Sequence, residues 1–263
     1  MATDVNKYGP WALITGGSEG VGAAAARQLA DDGFKLVLVA RKPEPLEALK
    51  AELEAKGAEV RIKSVDLAKP DALDQVRSVT DDIEVGLMMF NAGANSVRGN
   101  FVDLPREITQ QVIAVNVIGQ ADFSRHYGKL MCERGKGGII LCGSTGGYVG
   151  SPDIAAYCAS KAFSRVLSES LWQECGKFGV DVCHLNIGFT ATPAMERLGL
   201  PIEFAETPEE VARQGLANIA NGPVWVMPTK GTIDSARASA QFDDRGEVVK
   251  KYSAPPREAT GKS

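Results

Sequence analysis

Tyr157 and Lys161 stand four residues apart, a spacing that puts two side chains on one face of a helix. An ammonium beside a phenol stabilises the phenolate, so such a pair can move a proton near neutral pH. Pairs of this kind are common in ordinary helices, and two further polar residues raise its weight. Ser144 follows an apolar run in Cys142-Gly143-Ser144-Thr145-Gly146-Gly147, where its hydroxyl can hold a substrate oxygen. Asn116 interrupts the apolar stretch Ala114-Val115-Asn116-Val117-Ile118. A buried amide there needs a partner: it either satisfies backbone groups at a helix kink or holds a water.

A second group of residues suits a dinucleotide. An apolar run enters Thr15-Gly16-Gly17-Ser18-Glu19-Gly20-Val21-Gly22 and a helical stretch follows at once. Missing side chains let the backbone approach a pyrophosphate, and the helix N-terminus offers free N–H groups and a positive dipole end. Gly16, Ser18, Gly20, Val21 and Gly22 would line that cradle; a turn that only lets helix and strand pack is the plainer reading. The next apolar run ends Val39-Ala40-Arg41-Lys42, without the acidic residue that favours a free ribose. Arg41, with Lys42 beside it, either pairs with a ribose 2′-phosphate or is a solvated cation. Glu19 argues against the phosphate, since a carboxylate in the same turn repels it. Asp66, followed by Leu67, either accepts from an adenine amino group or caps the next helix. Asn91-Ala92-Gly93 supplies small residues where a ribose would cross the sheet edge.

The elements needed to hold these residues are legible in the apolar pattern. Strands are expected at 11–15, 34–40, 60–65, 85–90, 138–142, 180–186 and 224–227. Helical stretches lie between them at 23–32, 45–56, 71–80, 108–133 (one long or two broken), 155–178 and 209–220. Near-continuous apolar strands are covered on both faces. Repeated strand–helix alternation with right-handed crossovers gives an α/β doubly wound, Rossmann-type fold: a parallel seven-stranded sheet with helices on both faces. One domain is expected over 1–235, with a substrate loop at 190–206, then a polar tail at 236–263 that includes a possible short helix at 247–252.

The 263 residues are 44% hydrophobic and 24% charged, with net charge −4. This is the balance of an ordinary globule and disfavours a chain that coats nucleic acid or anionic lipid. Five Cys, at 132, 142, 158, 175 and 183, include no C-x-x-C pair, which fits free thiols in a reducing compartment. His126 and His184 form no metal-ligand spacing with them, so no metal is expected. No apolar span or signal core occurs, and a cytoplasmic protein is the default.

Thr15-Gly16-x-x-x-Gly20-x-Gly22, Asn91-Ala92-Gly93, Asn116, Ser144 and Tyr157-x-x-x-Lys161, in this order and with thirteen residues from Ser144 to Tyr157, resemble the single-domain short-chain dehydrogenase/reductase family over about residues 8–228. The resemblance implies that Tyr157 is the general acid in reduction and the base in oxidation. It implies that Lys161 assists Tyr157 and holds the nicotinamide ribose, that Ser144 polarises the substrate carbonyl, and that Asn116 supports a water-linked relay. Asn91, Ala92 and Gly93 then line the cofactor. The family's Pro-Gly appears as Ile187-Gly188; Thr192, with Thr190 beside it, matches the Thr that meets the nicotinamide carboxamide. Ala40-Arg41 resembles members that prefer NADP(H) over NAD(H). Lys7-Tyr8-Gly9-Pro10-Trp11-Ala12 and the turn with Glu19 are similar to bacterial 7β-hydroxysteroid dehydrogenases, which use NADPH.

The leading expectation is therefore an NADP(H)-dependent oxidoreductase that interconverts a ketone and a secondary alcohol. Met195, Leu198, Leu200, Pro201, Ile202 and Phe204 give the substrate loop an apolar cast that suits a steroid-like substrate or packs within the protein. The alternatives are a reductase of a carrier- or CoA-linked 3-oxoacyl substrate, and a dinucleotide-binding regulatory protein without turnover. The family implies a homodimer or homotetramer, with contacts through 108–133 and 155–178.

Overall fold

A computed structural model describes residues 2–94, 97–197, 199, 202, 203, 205–239 and 246. The expected helix at 247–252 lies outside the described residues, as do Leu198, Leu200, Pro201 and Phe204 of the substrate loop.

Seven runs of mostly branched and aromatic residues form the strands: β1 (Trp11–Thr15), β2 (Lys35–Ala40), β3 (Val60–Ser64), β4 (Val85–Phe90), β5 (Gly137–Cys142), β6 (Val180–Asn186) and β7 (Val224–Val226). All pair in parallel, in the order β3-β2-β1-β4-β5-β6-β7. Every residue of β1, β4 and β5 is buried, because helices cover both faces. Alternate side chains feed two cores. Ala12 and Ile14 join the small run Ala23–Ala26, Leu29, Leu46 and Leu53 on one side; Trp11 and Leu13 join Phe123, Tyr127 and Met131 on the other.

The helices are α1 (Val5–Tyr8), α2 (Gly20–Asp31), α3 (Pro43–Ala55), α4 (Ala72–Arg77), α5 (Arg106–Ile113), α6 (Gln120–Arg134), α7 (Ala155–Gly176), α8 (Pro193–Arg197), α9 (Pro208–Ala217) and α10 (Lys230–Ser239). The long stretch after β4 resolves as α5, a π-helical turn at Ala114–Gly119, and α6, without a break in the rod. α2 opens on Gly20, three residues before apolar periodicity marks it, since the Gly-rich turn runs straight into the helix. The stretch expected at 209–220 closes α9 at Ala217 and continues as a 3-10 turn, Ile219–Asn221. α1, α8 and α10 have no counterpart in the apolar pattern. α1 is a four-residue turn whose cap, Asp4, accepts from the Asn6 and Lys7 N–H groups. Among the described residues no helix is long and apolar enough to cross a membrane.

The order reverses between β1 and β4, so loops from the two halves of the sheet diverge there. In open parallel sheets this crevice, outside the strands' carboxyl ends, is where ligands bind.

Candidate active site

The turn after β1 is shaped by contacts that exclude side chains. Gly16 and Gly20 hold φ of +66° and +55°, a region that favours glycine. A Cβ on Gly22 would fall 2.1 Å from the Gly16 carbonyl oxygen, and one on Gly16 2.9 Å from the Ala92 nitrogen. Asn91 Nδ2 donates to the Gly16 carbonyl at 3.0 Å, and the Ala92 N–H donates to Thr15 Oγ1 at 3.3 Å. Asn91 and Ala92 thus knit the end of β4 to the turn. Ser18 is half-buried and Val21 buried beneath it. Glu19 occupies the N-cap of α2, yet its side chain makes no capping bond. The first N–H groups of α2 therefore keep their capacity for an anion, and the cradle fits a dinucleotide pyrophosphate. Glu19 itself accepts from Arg197 Nη2 at 2.7 Å.

Arg41 and Lys42 are exposed just beyond β2. The Gly17 N–H donates to the Val39 carbonyl at 3.1 Å, which sets the turn beside that strand end. Asp66 Oδ1 accepts from the Ala68 N–H at 3.1 Å, a turn within the loop; the N-cap of α4 is Asp71, so Asp66 does not cap that helix, and Leu67 beside it is buried.

The residues expected to move a proton meet at the ends of β4 and β5. Lys161 is buried; its Nζ donates to the Cys142 carbonyl at 2.7 Å and lies 5.6 Å from the centre of the Tyr157 ring. Ser144 caps a 3-10 turn, its Oγ accepting from the Gly146 N–H at 3.2 Å. A Cβ on Gly146 would sit 3.4 Å from the Tyr157 ring and 3.6 Å from Ser144 Oγ, so both hydroxyl-bearing side chains border that glycine, which leaves the space between them free of a side chain. A Cβ on Gly93 would lie 3.7 Å from Asn116 Oδ1 and 3.8 Å from Lys161 Nζ.

Asn116 is fully buried in the π-helical turn, a device that often re-aims residues at functional sites. Its Oδ1 accepts from the Ala94 N–H at 2.8 Å, and Nδ2 donates to the Ala94 carbonyl at 3.2 Å and to Ser160 Oγ at 3.0 Å. Ser160 in turn donates to the Tyr157 carbonyl at 2.7 Å. The side chain thus ties the Asn91–Ala94 turn to the first turns of α7. Ser160 escapes sequence reasoning, although it neighbours Lys161 and falls three residues after Tyr157, one helical turn away.

After β6, Thr190 Oγ1 donates to the Gly188 carbonyl at 3.3 Å, and a Cβ on Gly188 would strike Thr232 Oγ1. Thr192 packs its methyl group against Gly20, so residues following β6 reach across to the Gly-rich turn. Met195 and Ile202 are half-buried. Burial pushes the Glu206 carboxyl up, against an opposing hydrogen bond from Thr229, and the nearby Glu210 carboxylate adds a smaller upward push. Beneath Ser144, a Cβ on Gly143 would lie 2.0 Å from His184 Nε2. Burial pushes the Cys142 and Cys183 thiols up to about 12, so both are inert. All five cysteines are free.

The sequence model of the short chain dehydrogenase family matches residues 10–201. The chain belongs to the short-chain dehydrogenase/reductase family. It is thus an oxidoreductase of a family that binds a nicotinamide dinucleotide. A 7β-hydroxysteroid dehydrogenase of Collinsella aerofaciens is 34% identical over 213 residues, 78% of this dehydrogenase and 80% of that protein. A very-long-chain 3-oxoacyl-CoA reductase of Pyricularia oryzae is 33% identical over 225 residues, 82% of this chain and 68% of its own length. Among solved structures, one from work on 7β-hydroxysteroid dehydrogenase stereoselectivity superposes with a TM-score of 0.87 at 29% identity, covering 95% of this chain and 99% of that one. A short-chain dehydrogenase from Sphingobium yanoikuyae in complex with NADPH gives 0.79 at 28% identity, over 96% and 98%.

Proposed function

We propose that this dehydrogenase interconverts a ketone and a secondary alcohol with NADP(H), on a hydrophobic, steroid-like substrate, with Tyr157 as acid and base. The observation that carries this reading is the convergence of Ser144, Tyr157 and Lys161 on the space bounded by Gly146 and Gly93. Gly16, Ser18, Gly20, Val21 and Gly22 would hold the pyrophosphate, Arg41 and Lys42 the 2′-phosphate, and Asp66 and Leu67 the adenine. Asn91, Ala92, Gly93 and Lys161 would hold the nicotinamide ribose, and Gly188, Thr190 and Thr192 the carboxamide. The dinucleotide, when bound, supplies or accepts the hydride. The Ser144 hydroxyl donates to the substrate oxygen. The Tyr157 hydroxyl gives its proton to that oxygen in reduction and takes it back in oxidation, while the Lys161 ammonium stabilises the phenolate. Asn116 holds the Asn91–Ala94 turn and supports a water that returns the proton.

Two observations support an apolar substrate. Tyr157 borders a small recess, about 20 Å³ and so no larger than a water or two, whose lining Val97, Leu104, Ile108, Val112 and Ile154 makes the surface beside the phenol apolar. The Collinsella relative is named for a hydroxysteroid. The Pyricularia relative, named for a long-chain 3-oxoacyl-CoA, favours a second reading in which a 3-oxoacyl thioester is reduced by the same residues. We further place the catalytic unit at 1–235, in the cytoplasm, as a homodimer or homotetramer.

Titration with NADPH and NADH, followed by turnover on steroid ketones and 3-oxoacyl-CoA thioesters, tests the reading. Tighter NADPH binding and turnover of a steroid ketone are expected. Tyr157→Phe should lower turnover by roughly 10²–10⁴-fold while coenzyme binding persists. Turnover of the thioester alone selects the second reading. Binding without any turnover selects a regulatory role, and undiminished turnover in Tyr157→Phe removes the proposed acid/base.

A further inference from the structure

Glu19 and Arg197 are 178 residues apart in the chain and meet at 2.7 Å. Glu19 belongs to the Gly-rich turn, at the head of the twelve-residue helix α2. Arg197 ends α8, in the segment that follows β6. The same segment touches the turn again through Thr192, whose Cγ2 would stand 3.0 Å from a Cβ on Gly20. The Gly17 to Val39 hydrogen bond holds this turn against the end of β2, two residues before Arg41. A carboxylate at this place opposes any anion bound at the N-terminus of α2. It opposes a phosphorylated ribose more than a plain one, because the former carries up to two more negative charges. Arg197 cancels that charge, and it does so from outside the Gly-rich turn.

We propose that Arg197 is a coenzyme-selectivity residue that acts through Glu19: the ion pair masks the negative charge of the turn and thereby admits the 2′-phosphorylated dinucleotide. The proposal rests on the NADP(H) reading above. It assigns Arg197 a positioning and charge-masking role, with no contact to the reacting atoms. Glu19 then no longer conflicts with Arg41; the structure supplies the cation that reconciles them. A partly exposed ion pair adds little to the stability of the fold, so variants of either partner should remain folded.

The test is calorimetric titration of the full chain with NADPH and with NADH, at low and at high salt, for wild type, Arg197→Gln, Glu19→Gln and the double variant. Arg197→Gln should weaken NADPH binding roughly five- to tenfold and NADH binding less than about twofold, as expected for one uncovered charge beside a solvated phosphate. High salt should shrink the difference. The double variant should return to within about twofold of wild type, since the two residues act as one unit. Equal losses for both coenzymes, or no recovery in the double variant, would overturn the proposal, because Arg197 would then serve the fold or touch the coenzyme itself. Wild-type NADPH binding with Arg197→Gln unchanged overturns this inference alone. A wild type that binds neither coenzyme overturns the parent reading and this one together.

Discussion

At the scale of single residues, the closest contact under the candidate site is between Gly143 and His184. Any side chain at 143 would occupy the imidazole. Gly143→Ala should therefore cost ~1–3 kcal/mol by overpacking and lower turnover by displacing Ser144; thermal melting and a rate assay read the two effects separately. His184 is fully buried, its Nδ1 3.4 Å from Ser164 Oγ. Burial first, then the charges of Lys161 and Arg165, push it down to about 3. The folded protein keeps this imidazole neutral, whereas the unfolded chain protonates it below about 6.5. The unfolded state thus binds the extra proton across that window. Stability contributed by His184 is complete above about 6.5 and declines as pH falls toward 3, by up to ~1.4 kcal/mol per pH unit. Denaturant melts at pH 7 and pH 5 should show that decline in wild type and a smaller one in His184→Gln. An equal decline in both proteins would remove His184 as its source.

Among the elements, the π-helical turn has the largest consequence for the site. It directs the buried amide of Asn116 onto Ala94 and Ser160 at once. Asn116→Ala leaves both backbone groups of Ala94 without that partner, at ~1–3 kcal/mol for a buried unsatisfied group. A lowered melting temperature together with weaker coenzyme binding is expected, because Asn91 and Ala92 in the same turn brace Gly16 and Thr15. Normal coenzyme affinity in a destabilised variant would limit Asn116 to the core. The turn also shows where sequence reading stops. β1, β4 and β6 have the expected bounds, 11–15, 85–90 and 180–186, because buried parallel strands are continuous apolar runs between polar or glycine-containing turns. Asn116 is visible as a polar residue in an apolar run, but the extra residue in the helical turn depends on tertiary partners. α8 and α10 are short or polar, and their stability comes from packing on distant segments. The Tyr157, Lys161 and Ser144 set is legible because its spacing is local or tied to strand ends. The partner of Glu19 is not, because only the closed fold brings Arg197 to it.

For the whole molecule, the remaining exposed apolar surface suggests how copies associate. Ile118 in the π-helical turn and Val166 on α7 are each just over half exposed, at 53% and 51%, and α5 and the π-helical turn both pack on α7. Sedimentation should find a dimer or tetramer, and Ile118→Glu combined with Val166→Glu should shift it toward monomer; a monomeric wild type would remove this interface. The opposite end of the sheet has a different consequence. Tyr8 of α1 lies over the starts of β4 and β5 and donates from its hydroxyl to Asp181, with Lys7 beside it. The hydrogen bond to Asp181 spans 173 residues of sequence, so α1 finds part of its seat on β4 and β5 and is fully latched only once β6 has joined the sheet.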